Sequence, residues 1–414
     1  MNKILTVCLM VISTSVAHSQ WIESSSGIPS GLFVQSLHST GNVLYAGTND
    51  GVFVSTNSGD LWIRILGGSG TIQSITSNGP YMFAGSSGSG VLSTSNNGMN
   101  WYSSLGLVTV WSLTSGSGTV YAAVEADRVW KTTNAGALWE PVSPGGNVKS
   151  VAVNGTHIFA GFQNYSIGGN GGVHYSTNNG VNWSVALSGE EIRVVTALNG
   201  FVAAGALDGT SRSGGVYVSN DNGTTWVRTE LDSVPVPALK LYGSSLLAGI
   251  ANHYYPGFQN YAGFWTSYYA GINWIQMNEG LTSLSNRAVA CIEVQYPFAF
   301  IGISGGLIYR RSIDQVIGVK SLEEEIPATI QLFQNFPNPF NPETTIKFGL
   351  SGISETSLSI YCTSGKLIRT LTKEVLNAGV YEVKFDGEGL ASGTYFCVLK
   401  TDSEIKTIRL LLLK

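Results

Sequence analysis

The chain has 414 residues and a formal net charge of −4, with 12% charged residues, 11% aromatic residues and 51 glycines. Its length exceeds the usual size of one domain, so at least two domains are expected. Abundant glycine and aromatic side chains with few charges indicate many short strands joined by tight turns, and argue against a helical or a disordered protein. The small negative charge gives no electrostatic reason to expect a nucleic acid or an anionic membrane as partner.

Residues 1–19 have the three parts of a signal peptide. Lys3 provides a positive n-region, residues 4–16 form an apolar h-region, and Ala17-His18-Ser19 is a cleavage site that leaves Gln20 as the first mature residue. About thirteen apolar residues are too few to anchor a protein in a bilayer. We therefore expect export through the Sec translocon, with no transmembrane anchor.

An eight-residue pattern recurs six times after the signal peptide. Its first copy is Ser-Thr-Asn-Ser-Gly-Asp-Leu-Trp at residues 55–62, and successive copies lie 38 to 48 residues apart. This spacing is the length of one four-stranded blade of a β-propeller. The positions of the Asp or Asn, the Gly and the Trp are Asn57, Gly59 and Trp62; Asn96, Gly98 and Trp101; Asn134, Gly136 and Trp139; Asn178, Gly180 and Trp183; Asp221, Gly223 and Trp226; and, with Tyr269 in the first position, Gly271 and Trp274.

A second pattern, an apolar run that ends in a small residue, occurs seven times. Its copies are 44–47, 82–85, 120–123, 158–161, 202–205, 246–249 and 299–302. A pair such as Ser36-Leu37 precedes each copy and predicts an innermost strand, where the blades converge. The seventh unit has no tryptophan strand of its own, and Trp21-Ile22-Glu23 matches the strand that begins at Trp62. The sequence thus predicts an all-β fold with a seven-bladed β-propeller over 20–314, closed by its N-terminal strand so that no sheet edge is exposed.

In its fullest form, Ser219 to Trp226, the eight-residue pattern resembles the Asp-box, or BNR repeat, of sialidase-like propellers. A short Asp or Asn side chain can bond the backbone amides of the turn between strands three and four. The glycine allows a positive φ, and the tryptophan packs beneath the turn. In that family the box is structural and lies opposite the catalytic face, so the resemblance implies a propeller and not a sialidase.

The connection between strands two and three is long in three successive blades, at 162–172, 206–214 and 250–263. These connections should emerge on the face opposite the boxes and form one rim. Aromatic rings beside amide side chains suit binding of a sugar or of a protein hot spot, although the same rings could merely pack the loops. The candidate ligand-binding residues are Phe162, Gln163, Asn164, Tyr165, Arg212, His253, Tyr254, Tyr255, Phe258, Gln259, Asn260 and Tyr261.

Glycoside hydrolysis would require two carboxylates that face a cleft. The inner strands begin with Gln35, Gln73, Trp111, Lys149, Arg193, Pro237 and Ala290, none of which is acidic, and Trp111 is expected to pack between blades. The acidic residues that could reach the same face from loops are Glu190, Glu191, Asp208, Asp232 and Glu279. Histidine and cysteine spacings match no metal site, so no catalytic residue, metal or cofactor is assigned.

The composition changes after Asp314, where residues 315–328 predict a linker. Alternating segments such as 380–385, separated by glycine turns, predict a small Ig-like β-sandwich over 329–414. This region closely resembles the type A C-terminal sorting domain of the type IX secretion system, although Cys362 stands where that family usually has Asp. The residues that carry the resemblance are Asn335, Pro337, Asn338, Pro339, Phe340, Asn341, Pro342, Gly365, Gly393, Tyr395 and Lys414.

The resemblance implies a bacterial protein that crosses the periplasm, is recognised by the type IX outer-membrane machinery, and is secreted or attached to the outer surface. We predict that its propeller is a binding scaffold for a glycan or a surface protein. A sialidase-like glycoside hydrolase is the alternative, and it requires a pair of acidic side chains that converge on the rim. A passive adhesive protein would have no defined pocket there. A disulfide between Cys362 and Cys397 remains open at this point.

Overall fold

The computed structural model describes residues 20–163, 171–207, 214–251, 261–269, 271–281, 288–303, 305–317, 319–322, 329–352, 354–376 and 379–413. Within these ranges the protein is all-β, with one short helix, α1, at Ile313–Val316.

Between residues 22 and 312, the described strands form seven antiparallel sheets of four strands each. Sheets 1 to 3 contain β2 (Val34–Thr40), β3 (Val43–Thr48), β4 (Gly51–Ser55) and β5 (Ile63–Gly67); β6 (Ile72–Asn78), β7 (Tyr81–Ser86), β8 (Gly90–Thr94) and β9 (Tyr102–Leu105); and β10 (Val110–Gly116), β11 (Thr119–Val124), β12 (Val129–Thr132) and β13 (Glu140–Pro141). Sheets 4 to 6 contain β14 (Val148–Asn154), β15 (His157–Phe162), β16 (Gly172–Ser176) and β17 (Ser184–Ser188); β18 (Ile192–Leu198), β19 (Phe201–Ala206), β20 (Gly215–Ser219) and β21 (Val227–Asp232); and β22 (Ala238–Tyr242), β23 (Ser245–Ile250), β24 (Gly263–Tyr269) and β25 (Ile272–Gln276). Sheet 7 contains β26 (Val289–Gln295), β27 (Phe298–Ile303), β28 (Ile308–Ser312) and β1 (Ile22–Glu23).

The first strands of successive sheets lie against one another in a closed cycle that runs from β2 through β26 and back to β2. Serines predicted at the inner strands join neighbouring sheets, because the hydroxyl of Ser74 accepts the Leu113 amide at 2.9 Å and that of Ser150 accepts the Val195 amide at 3.0 Å. A small side chain with a hydroxyl both fits the crowded axis and satisfies a buried backbone group. The arrangement is propeller-like.

The second strand of each sheet is covered on both faces by neighbouring sheets, which explains its apolar run. In β3, residues 44–48 are all buried. A small residue is required near the end of the run for steric reasons, since a Cβ added at Gly47 would lie 2.3 Å from the Ser36 hydroxyl.

The N-terminal segment supplies the fourth strand of sheet 7. Strand β1 pairs with β28 and so becomes the outermost strand of sheet 7. Just before it, Trp21 is 2% exposed and its indole N–H donates to the Met277 carbonyl at 2.7 Å. Just after it, the Ser24 carbonyl accepts the Trp62 indole N–H of sheet 1 at 2.7 Å. Residues 21–24 therefore join three sheets.

The recurring eight-residue pattern forms the turn between the third and fourth strands of sheets 1 to 6. In sheet 1, the Ser55 hydroxyl donates to the Asn57 side chain at 2.9 Å and accepts the Gly59 amide at 3.0 Å. Asn57 also accepts the Leu61 amide at 3.0 Å, and Gly59 has a φ of 82°. The tryptophans reach further than predicted, because several of their indoles contact the outer part of the preceding sheet. Trp139, for example, donates to Ser104 of β9 at 2.7 Å.

Two further four-stranded sheets form the C-terminal domain. One has the order β29 (Val319–Leu322), β34 (Gly379–Asp386), β31 (Glu343–Leu350) and β30 (Gln331–Leu332). The other has the order β33 (Leu367–Leu376), β32 (Ser354–Cys362), β35 (Gly393–Lys400) and β36 (Ile405–Leu412). Buried residues of both sheets, among them Phe348 and Leu358, belong to one apolar core.

Two details of this region differ from the sequence-based expectations. Strand β29 lies inside the segment predicted to be a linker and is hydrogen-bonded to β34 along Val319–Leu322, so part of that segment is an edge strand of the domain. The possible disulfide is absent, since Cys362 and Cys397 are both free thiols. Their strands are neighbours, but Cys362 lies opposite Tyr395 and Cys397 opposite Ile360.

The turn in sheet 5 predicts a specific pH dependence of stability. Hydrogen bonds from Thr225, first from its hydroxyl at 2.6 Å and then from its amide at 2.8 Å, hold the pKa of Asp221 at about 2. A depressed native pKa stabilises the fold above the unfolded value and loses that effect as the pH falls toward the native value. The melting-temperature advantage of the natural chain over Asp221→Asn should therefore shrink between pH 4 and pH 2. In sheet 4, Asn178→Asp should introduce a dependence of the same sign, and a pH-independent difference for Asp221→Asn would contradict this account.

Candidate ligand-binding site

The antiparallel topology places two features on one face of the sheet assembly. The first strand of each sheet begins at the same end at which the second strand connects to the third. The box turns, which connect the third strand to the fourth, lie at the opposite end. We call the end with the long connections the loop face, and it is defined by the start of strands such as β14 and by connections such as that from β15 to β16.

The first strands carry a bulge at this face. In the described part of the chain the pairing shifts by one residue near the start of six first strands. A bulge re-aims one side chain while the strand continues. The residue before each bulge is a fully buried Val or Ile. The bulged residues are Gln35, Gln73, Trp111, Lys149, Arg193 and Ala290.

Three bulged residues from successive sheets meet at the axis. The Lys149 ammonium lies 3.8 Å from the centre of the Trp111 ring, and the Arg193 guanidinium lies 4.7 Å from it. Both contacts are within the range of cation–π attraction. We call Trp111, Lys149 and Arg193 the axial cluster. Trp111 was expected to pack between blades, and its ring contacts the cations of the next two sheets.

The two cations of the axial cluster have different partners. Lys149 is 5% exposed and its ammonium lies 3.3 Å from a Glu125 carboxylate oxygen. Burial lowers its pKa, Glu125 opposes that shift, and the charge of Arg193 adds a smaller decrease. Burial also lowers the pKa of Arg193. Within the residues that the structure describes, the Arg193 guanidinium makes neither an ion pair nor a hydrogen bond.

Amide side chains border the axial cluster. Gln163, one of the predicted site residues, follows β15 and accepts a hydrogen bond from the Asn147 amide at 3.4 Å. Its own amide donates to Glu191 at 3.3 Å. Asn147 lies two residues before Lys149, and Glu191 lies two residues before Arg193. Asn147, Gln163 and Glu191 are therefore joined by two hydrogen bonds, which connect the start of β14 to the start of β18.

The other predicted residues have mixed outcomes. Phe162 was wrongly predicted to contact ligand, because it is 3% exposed and its ring lies 4.2 Å from that of His174 inside the sheets. Tyr261 is 40% exposed and stacks on Trp265 at 5.9 Å, which leaves part of its ring on the loop face. The residues that lie outside the described ranges are Asn164, Tyr165, Arg212, His253, Tyr254, Tyr255, Phe258, Gln259 and Asn260.

The loop acids that the structure describes do not form a pair of free carboxylates. Asp232 pairs with Arg228, and Glu279 pairs with Arg311 at 3.0 Å. Glu190 hydrogen-bonds the Tyr217 hydroxyl, and burial together with this carboxylate raises the pKa of Tyr217. Tyr217 belongs to the core between sheets 4 and 5 and not to the axis. Across the described ranges, no group of three or more His, Cys, Asp or Glu side chains could hold a metal ion.

A groove of about 870 Å³ lies elsewhere, between sheet 6 and the C-terminal domain. It is lined by Ile275 from β25 and by Lys384 and Phe385 from β34, among others. Close to it, the Thr266 hydroxyl donates to the Val316 carbonyl at 2.9 Å. Because β25 begins at the box turn, this groove is at the end opposite the loop face, and it belongs to the packing of the two domains.

Residues on which the resemblance to the sorting domain rests join the segment before β31 to the last strand, β36. Asn338 accepts the Leu411 amide at 2.9 Å and donates to the Arg409 carbonyl at 3.1 Å. Phe340 is 2% exposed and its amide donates to Leu411. The Tyr395 hydroxyl donates to the Ala391 carbonyl at 2.8 Å. Lys414 lies outside the described residues.

These features define an exported, all-β, propeller-like protein with a separate C-terminal sorting domain. Residues 334–414 match the family model described as "Secretion system C-terminal sorting domain". The protein is therefore delivered by the type IX secretion system to the cell surface or the extracellular space. No curated protein sequence matches the chain. Among the described residues, no helix is long and apolar enough to cross a membrane.

Solved structures share the propeller-like fold at low sequence identity. The GH74 enzyme of Niastella koreensis aligns with a TM-score of 0.56 and 13% identity over 95% of this chain and 75% of that one. YCF48 from Cyanidioschyzon merolae aligns with a TM-score of 0.54 and 13% identity over 72% of this chain and 100% of that one. PorZ, a surface component of the type IX secretion system of Porphyromonas gingivalis, aligns with a TM-score of 0.50 and 16% identity over 92% of this chain and 59% of that one. These likenesses show the fold alone.

The sorting domain predicts the fate of a truncated chain. A chain that ends at residue 328 keeps the predicted signal peptide, residues 1–19, but lacks the sheets recognised by the outer-membrane machinery, so it should accumulate in the periplasm while the full chain leaves the cell. Cell fractionation and immunoblotting measure the distribution. A reporter fused to residues 319–414, which include β29, is the matched gain-of-export control. Arrival of the truncated chain at the surface at the level of the full chain would contradict the assignment.

Proposed function

We propose that the protein is a surface-attached or secreted binding scaffold: a seven-bladed β-propeller with BNR-type box turns, delivered by an Ig-like sorting domain after removal of residues 1–19. The propeller spans 20–314 and takes a glycan or a surface protein on its loop face. The observation that carries the proposal is that polar and aromatic side chains collect at this one face, at Gln163, at Tyr261 and in the axial cluster.

The box turns support the structural half of this proposal. Each is satisfied locally, as in sheet 5, where the Ser219 hydroxyl donates to Asp221 at 2.8 Å and accepts the Gly223 amide at 2.8 Å. Groups whose hydrogen bonds are made within the turn are not available to a ligand. Binding is therefore assigned to the opposite end, where the bulges present side chains that the sheets do not need for their own pairing.

Binding is preferred to glycoside hydrolysis on the geometry of the acids. Hydrolysis needs an acid and a second carboxylate on either side of the scissile bond. Of the loop acids, Asp232 and Glu279 are paired with arginines, and Glu190 is bonded to a buried tyrosine. Asp208 lies outside the described residues. The remaining acid, Glu191, is held by Gln163, which suits positioning of a polar side chain better than transfer of a proton.

The exposed ring of Tyr261 provides the test. The mature chain, residues 20–414, should bind glycans on an array, and Tyr261→Ala should weaken that binding at least tenfold, because an aromatic contact at a binding centre contributes roughly 1–3 kcal/mol. Tyr102→Ala is the matched control, since Tyr102 is 65% exposed on the outer strand β9 of sheet 2.

A reducing-sugar assay on the bound glycans separates the two functions. The scaffold releases no sugar, whereas release that is lost in Glu191→Gln would favour the hydrolase. Equal weakening of binding by Tyr261→Ala and Tyr102→Ala would remove the loop face as the site.

A further inference from the structure

We propose that the axial cluster is a carboxylate-binding site and that the ligand on the loop face is an acidic sugar, bound through the carboxylate of a uronic acid. This inference rests on the proposed function and names its ligand class. It is carried by Arg193, Lys149 and Trp111, which approach one another from three successive sheets.

The cation of Arg193 is the first part of the argument. A largely desolvated charge costs free energy unless an opposite charge or hydrogen-bond acceptors compensate for it. Among the described residues, this guanidinium has only the face of Trp111, at 4.7 Å. Its N–H groups therefore remain available to an acceptor that is not part of the described chain. A planar carboxylate matches the fork of an arginine in shape and charge.

The neighbouring charges make the site selective for an anion. Lys149 is already matched by Glu125 at 3.3 Å, so these two charges cancel to a first approximation. Arg193 contributes a positive charge that pairs with no described carboxylate, and the nearby Glu191 carboxylate is held by the Gln163 amide instead. The positive character is therefore local. Such a site binds a ligand with one carboxylate more tightly than a neutral ligand of the same shape.

Trp111 determines which part of a ligand is recognised. Its ring face is engaged by the two cations, so the ring is not an open platform for stacking a sugar. Its role is to hold the ammonium and the guanidinium together despite their mutual repulsion. The indole Nε1 is buried and has no hydrogen-bond partner among the described residues.

The amides beside the cluster favour a sugar acid over other ligands that carry a carboxylate. Asn147 precedes β14 and Gln163 follows β15, and their amide groups can both donate to and accept from hydroxyls. The bond between them is long, at 3.4 Å, so exchanging it for a hydroxyl costs little. A uronic acid presents one carboxylate and several hydroxyls within a single ring, which matches one arginine bordered by amides.

The test compares a charged probe with its neutral ester. Calorimetry should show that the mature chain, residues 20–414, binds trigalacturonate or the corresponding glucuronate oligomer and binds the methyl ester of either at least tenfold more weakly. Arg193→Gln should lose roughly tenfold or more of the affinity for the acid, because the charged hydrogen bonds to the carboxylate are lost. Arg193→Lys should recover part of the loss, since it restores the charge but not the fork.

Two controls separate binding from folding. Arg64→Gln removes an arginine that is paired with Asp50 at 2.7 Å and should bind as the natural chain does. Melting temperatures of all variants show whether Arg193→Gln is folded, and a folded Arg193→Lys variant keeps the test decisive if the glutamine variant is not.

Several outcomes would overturn the proposal. These are equal affinity for acid and ester, unchanged affinity for the acid in Arg193→Gln, absence of binding to both uronate oligomers, and preference for a peptide with a free C-terminal carboxylate. If neutral glycans bind, and Tyr261→Ala lowers the affinity for them while Arg193→Gln does not, the acidic-sugar inference fails and the scaffold function stands. If no glycan and no protein partner binds the loop face, both fail.

Discussion

Everything on the loop face depends on a ring of sheets that must close, and closure rests on residues 21–24. Trp21 inserts against Phe264 of sheet 6 with ring centres 4.9 Å apart, β1 completes sheet 7, and Ser24 and Trp62 join sheet 7 to sheet 1. The approach is so close that a Cβ added at Gly59 would lie 2.4 Å from the Ser24 hydroxyl. An open ring would leave the outer edge of sheet 7 unpaired and its neighbours uncovered. The axial cluster, which draws one residue from each of three sheets, requires their spacing to be fixed.

Hydrogen bonds join neighbouring sheets all around the ring. Hydroxyls at the inner strands bond the next sheet, and box tryptophans such as Trp139 reach back to the previous one, so each sheet is tied to its neighbours at both radii. These polar contacts are directional and set the angle between sheets, whereas the apolar second strands provide most of the buried area. The box turns make their hydrogen bonds within themselves. We therefore assign binding to the opposite end, where bulges release side chains from the ladder.

The order of the strands and the N-terminal outer strand could be predicted because both depend on local repeats. The spacing of Trp62 from its later copies indicates the strand order, and the similarity of Trp21 to these tryptophans indicates the outer strand. It also identified the sorting domain, which the family match confirms. It failed where the outcome depends on three-dimensional neighbours. Phe162 sits at the end of a strand and turns inward onto His174, and a periodicity argument cannot distinguish that from a loop ring. The axial cluster was missed because its members lie about forty residues apart, one per repeat. The clue was that Trp111, Lys149 and Arg193 occupy equivalent positions, which should have been compared across repeats as a ring.

The central claim is that closure by the N-terminal segment holds the loop face in its binding geometry. Denaturant unfolding of residues 20–414, compared with the same chain carrying Trp21→Ala, tests it most directly. Removing a buried tryptophan should lower the free energy of unfolding by about 3–5 kcal/mol, and the weakened ring should lose ligand affinity together with stability. The exposed-aromatic variant Tyr102→Ala should change neither. If Trp21→Ala unfolds at the same denaturant concentration as the natural chain, the N-terminal segment does not hold the ring, and the account of the loop face built on it is wrong.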